Sequence, residues 1–166
     1  AFEQASDNIQ NCPWNDRLQV FHESIQDFSK ISRESYDLIV SNPPFFSGGT
    51  FSGNQERVNV RHTVKLPHGD LLIAVRRLLS PEGKFCVILP FIEGLRFEEM
   101  AKTYQFYCTK MMEIKPLREK SVERLLLQFE RIEKPLQKEE LIIQEEGRNN
   151  WTDEYIALTG DFYLKM

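Results

Sequence analysis

The sequence predicts an α/β fold, a mostly parallel sheet with crossover helices and an antiparallel hairpin at its C-terminal edge. Three observations predict it. Short apolar runs at 36–41 and 84–90 read as buried strands. Between them, "HGDLLIAVRRLLS" (68–80) places Leu71, Leu72, Val75, Leu78 and Leu79 on one helical face. Further on, the strand-like runs 107–117 and 122–132 follow each other across a short link, as antiparallel neighbours do.

The elements follow in order. "AFEQASDNIQNC" reads as helix through about Gln10, with Ala1, Ala5, Asn8 and Ile9 at helical spacing and no N-cap before them. A loop follows at Cys12-Pro13. "RLQVFHE" (17–23) alternates well enough for a strand, and "YDLIVS" (36–41) is the first buried one. Residues 46–60 carry three glycines without periodicity and read as a long loop. After the helix at 68–80, Pro81-Glu82-Gly83 suits a turn before the strand 84–90. A helix is expected over 96–105, then strands at 107–117, 122–132 and 139–145. Thr152 caps a last helix over 152–164. Alternating strand and helix over the first hundred residues imply parallel strands.

Composition narrows the class. The 166 residues are enough for one domain with a real core. Hydrophobic residues at 41% and charged residues at 28% are ordinary for a globular chain. No apolar run is long enough to span a membrane. Cys12, Cys86 and Cys108 match no metal or redox spacing, so free thiols in the cytoplasm and no metal are expected. The net charge of −4 argues against a broadly basic nucleic-acid surface.

Chemistry concentrates at "DLIVSNPPFFSGG" (37–49). Two prolines cannot donate to a sheet, so the strand must stop there. In open α/β sheets, ligands sit beyond such strand ends. The Asn42 side chain and the Pro43 carbonyl are two acceptors on a rigid backbone, suited to the two donors of an –NH2 group. Phe45 offers a face on which a flat ring can stack. Acceptors pulling on both hydrogens favour a tetrahedral nitrogen with a localised lone pair, a gain realised mainly in the transition state. The bland alternative is a strand ended by a Pro-Pro turn, with Phe45 in the core.

Asn42-Pro43-Pro44-Phe45 after a buried strand resembles the (D/N/S)-P-P-(Y/F/W) motif of S-adenosylmethionine-dependent amino methyltransferases. "NIQNCPWNDRLQVFHESIQDF", "RHTVKLPHGDLL" and "YIALTGDFYLKM" extend the likeness, over nearly the whole chain, to bacterial tRNA(adenine-N6)-methyltransferases acting on adenine 37 of valine tRNA. The resemblance implies a Rossmann-like class I methyltransferase sheet, catalysis by Asn42, Pro43, Pro44 and Phe45, and cofactor contacts from Ser24, Ile25 and Asn42. The chain departs from that pattern in having no G-x-G-x-G loop. The loop, with N-terminal strands and a helix, is therefore expected upstream of Ala1, leaving residues 1–166 as the C-terminal part of a single methyltransferase domain.

The motif alone leaves the substrate open. An adenine amine, a release-factor glutamine amide and a ribosomal guanine amine all fit two acceptors, and a cofactor-less binding module is a fourth reading. "YIALTGDFYLKM" and "RHTVKLPH" favour the first, with tRNA as partner. For phosphate contacts, Arg57, Arg61 and Lys65 stand against only Glu56, with His62 and His68 nearby. A second basic group is Arg118, Lys120 and Arg124 in "REKSVER". Solvated surface is the alternative for both.

Overall fold

The computed structural model describes residues 1–44, 66–147 and 149–163. Five strands, β1 (Tyr36–Ser41), β2 (Leu79–Pro90), β3 (Tyr107–Leu117), β4 (Arg124–Glu130) and β5 (Gln137–Gln144), form one sheet in the order β1-β2-β4-β3-β5. β1 and β2 run parallel, as the helix between them requires. β3 and β4 make the expected hairpin, with β4 seated between β2 and β3 and antiparallel to both. β5 lies outside it, parallel to β3.

Among the described residues the α-helices are α1 (Phe2–Gln10), α2 (Ile25–Ile31), α3 (His68–Leu78), α4 (Phe91–Thr103) and α5 (Asp153–Thr159). Alternation on β2 and β4 sends Phe85, Val87, Leu89, Leu125, Leu127 and Phe129 to one face, where α3 and α4 cover them. Leu71, Leu72 and Val75 of α3 and Phe97 and Ala101 of α4 complete this core. Phe85, Phe97 and Phe129 meet pairwise at 5.7–6.1 Å between ring centroids. Gly94 is required in α4, since a Cβ there would sit 2.9 Å from Leu125 Cδ1. Arg131 fastens the far end of α3 by donating to the carbonyls of Arg76 (2.6 Å) and Leu79 (2.9 Å). Thr152 caps α5, accepting from the Tyr155 N–H while its hydroxyl donates to Ile142 of β5.

Four local expectations change. Residues 17–23 form no strand: Asn15–Arg17 is a 3₁₀ turn, and the run beyond it has no ladder partner among the described residues. β1, expected buried on both faces, is an outer strand among the described residues, with Leu38 57% and Val40 72% exposed on a face that no described helix covers. Pro81-Glu82-Gly83 bulges within β2, so that a step of two residues along β1, from Tyr36 to Leu38, matches a step of five along β2, from Leu79 to Lys84. Helix α4 starts at Phe91, directly after the strand, and α2 is a short helix that the periodicity did not reveal. The loop read at 46–60 lies outside the described residues.

The aromatic core sets stability. Phe97→Ala should cost about 3–5 kcal/mol, whereas Ile132→Ala, at a residue 62% exposed, should stay within about 0.5 kcal/mol. Urea unfolding of both variants measures the contrast, and similar losses would refute this placement of the core.

Candidate active site

β1 ends where the sequence requires. Ser41 is its last ladder residue, level with Val87 of β2. Asn42 then emerges exposed, Pro43 is buried and Pro44 is exposed. Pro43 thus anchors the stop while Asn42 faces outward. Among the described residues the Asn42 side chain has no hydrogen-bond partner, so its acceptor is open to a ligand. Beside it, a cleft of about 330 Å³ opens on the uncovered face of the sheet. Val40, Cys86, Ile88, Met112 and Leu126 give it apolar walls, and Asn42 and Ser41 stand at one end. An apolar cleft with a few polar side chains at its margin, here Ser41, Asn42, Lys110 and Gln128, is a common composition for a site that binds flat organic groups.

The other expected residues are distributed as follows. Ser24 is the N-cap of α2: its hydroxyl oxygen accepts from the Asp27 N–H and donates to Asp27 Oδ2 at 2.8 Å. Ile25 opens that helix, half-buried. Arg124 begins β4, paired in register with Pro90 and Ile114, at the same edge of the sheet as Asn42. His68 begins α3 and packs edge-on against Phe97 of α4 at 5.0 Å. Phe45, Arg57, Arg61 and Lys65 lie outside the described residues. The structure therefore brings Asn42, Pro43, Pro44 and Arg124 to one edge and uses Ser24 for a helix cap.

Two features escaped the sequence reading. Cys86 is half-buried and lines the open cleft; strand alternation carries the signal, since Phe85 and Val87 on either side face the core. Cys108, by contrast, is buried, and desolvation pushes its thiol up to about 11, leaving it inert. The second feature is a polar network on β3 and β4. Thr109 donates to Glu130 at 2.9 Å, Gln128 donates to both, and Lys134 pairs with Glu130. The Lys134 bond first, and then the Thr109 bond, hold the Glu130 carboxyl below its ordinary value against the opposing effect of burial. Among the described residues no cluster of three or more His, Cys, Asp or Glu is placed to hold a metal ion.

Comparison with known proteins adds three findings. A protein of Flavobacterium psychrophilum named tRNA1(Val) (adenine(37)-N6)-methyltransferase is 37% identical over 166 residues, covering 100% of this chain and 70% of its own. A Trichodesmium erythraeum protein of the same name is 39% identical over 162 residues, covering 98% and 67%. Among solved structures, a predicted O-methyltransferase from Agrobacterium tumefaciens superposes with a TM-score of 0.70 at 14% identity, over 95% of this chain and 70% of that one, a likeness of fold. No family model matches.

His68 gives this edge a pH signature. Burial disfavours its imidazolium and lowers its pKa below the ordinary 6.5, against a weaker opposing pull from Glu93. The neutral ring is thus the folded form. Its contribution is complete above the unfolded pKa and is lost as pH falls from there through the lower folded pKa. A proton-NMR titration should give a His68 midpoint below 6.5, and His68→Gln should remove part of the acid-side loss of stability. A midpoint at or above 6.5 would contradict the packing against Phe97.

Proposed function

The chain belongs to the tRNA1(Val) (adenine(37)-N6)-methyltransferase family, and on that footing we propose that it methylates the exocyclic N6 of adenine in tRNA, at adenine 37 beside the anticodon of valine tRNA. The observation that carries this reading is the exposed Asn42 amide, held by the buried Pro43 at the end of β1. Of the readings open on the motif alone, the names of the relatives favour the adenine amine over the glutamine amide and the guanine amine.

S-adenosylmethionine supplies an electrophilic methyl group. The residues present fit such a cofactor, because the apolar cleft adjoins an open acceptor and its size is within the range of small-molecule sites, roughly 300–1,000 Å³. Asn42 lines that cleft and would hold the group there; Ser24 and Ile25, at the start of α2, do not line it and are proposed as cofactor contacts on the family resemblance alone. Asn42 Oδ1 and the Pro43 carbonyl accept the two amine hydrogens and draw the nitrogen out of conjugation with the ring. The stabilisation grows as the lone pair localises, so it lowers the barrier more than it tightens binding. Phe45 is the proposed stacking partner of the flipped base. Arg57, Arg61, Lys65, His68 and Arg124 are the proposed contacts to RNA. Phosphate contacts by a chain of net charge −4 have to be local ones. Among the described residues no helix is long and apolar enough to cross a membrane. We assign the protein to the cytoplasm, where its substrate is.

Asn42→Ala should lower the rate of methyl transfer from labelled S-adenosylmethionine to bulk tRNA by about 100-fold or more, since one transition-state acceptor is lost. Asn42→Asp, which keeps an acceptor, should be milder. Circular dichroism should show both variants folded. Wild-type turnover in Asn42→Ala would refute the assigned role.

A further inference from the structure

The tip joining β3 to β4 stands beside the candidate site. Ser41 is level with Val87, and Val87 with Leu127, so Arg124 lies three residues beyond that level, where Asn42-Pro43-Pro44 emerge. It is two strands across, about 10 Å at the usual strand spacing. The tip 118–123 therefore overhangs the same edge. It is also held in place. The Lys120 N–H donates to Leu117 (3.0 Å) and the Glu123 N–H to Ile114 (2.9 Å), while the Glu123 carbonyl accepts from Phe91 (2.9 Å). Val122 packs against the core.

The charges on this side are sorted unevenly. Lys110, Lys115 and Arg118 each pair with a β5 or post-β5 acid, namely Glu139, Glu140 and Glu145. Lys120 is exposed at the tip and, among the described residues, takes part in no ion pair, although Glu119 and Glu123 are close in sequence. A cation carried on a fixed turn at the edge where a base would enter suits one ligand chemistry, the phosphates flanking that base. A preorganised contact loses little entropy on binding.

We propose that Lys120, presented by the β3–β4 tip, contacts a backbone phosphate of the RNA substrate and orients it toward Asn42. The proposal rests on the RNA methyl-transfer reading and adds to it a positioning residue on a different element.

The test is filter binding of bulk tRNA over a salt series, with wild type, Lys120→Ala, Lys120→Glu, Lys120→Arg and Lys102→Ala. Lys102 lies near the C-terminal end of α4, toward the opposite edge, and serves as a control. At about 0.1 M salt Lys120→Ala should bind roughly two- to fivefold more weakly. Its slope of log K against log salt should flatten by about 0.7–0.9. Lys120→Glu should be worse, Lys120→Arg near wild type, and Lys102→Ala unchanged. The rate at saturating tRNA should change less than affinity, because a phosphate contact acts equally in ground and transition states. Unmoved slopes in Lys120→Ala and Lys120→Glu, equal flattening in Lys102→Ala, or a wild type that binds no tRNA would overturn the proposal. Methyl transfer by wild type in the same preparations reports separately on the reaction: transfer with unmoved slopes removes only the tip contact, and altered slopes without transfer remove only the reaction.

Discussion

Everything in the molecule hangs on β2. It is the strand that pairs with both β1 and β4, parallel on one side and antiparallel on the other. Its alternation commits Phe85, Val87 and Leu89 to the helical layer and Cys86 and Ile88 to the open face. A slip of one residue would exchange these sets and expose the aromatic core. The register of β1 on β2 also determines where β1 can end, and with it the position of Asn42. The bulge at Pro81-Glu82-Gly83 absorbs the mismatch at the start of β2, so that its far end meets β1 in regular register.

The same register sets the position of every other group at the edge. The antiparallel pairing of β4 brings Arg124 back to the level of Pro90. The parallel run of β5 beside β3 lines acids up with the lysines of β3, and these pairs are partly exposed to solvent, so each adds little stability. Their effect is to neutralise charge. Lys120 at the tip is outside these pairs, so an acidic chain can still present a local cation there.

The two faces of the sheet differ in a way that matters for chemistry. The helical face is closely filled, with Phe85, Phe97, Phe106 and Phe129 fully buried. The other carries the apolar cleft and the exposed Leu38 and Val40. Catalysis of the proposed kind needs a rigid acceptor next to a surface that accepts a flat group. Packing on the helical face supplies the rigidity of the sheet from which Asn42 emerges.

The periodicity of the sequence by itself determined the type and approximate bounds of the well-packed elements. α3, β3 and β4 came out close to their observed limits because their apolar spacing reports burial directly. Asn42-Pro43-Pro44 was equally legible, since two prolines end a strand wherever it lies. Local pattern could not give what depends on partners. The alternating run 17–23 looks like a strand, but a strand exists only when a neighbour takes its hydrogen bonds. Ser24 reads as a free hydroxyl until Asp27 is seen beside it. The apolar run 36–41 reads as doubly buried, yet among the described residues no helix covers the face that carries Leu38 and Val40. Lys120 and Arg124 are ordinary charges in a link of the sequence. Only the insertion of β4 between β2 and β3, a choice made by long-range pairing, brings them to the edge where β1 ends.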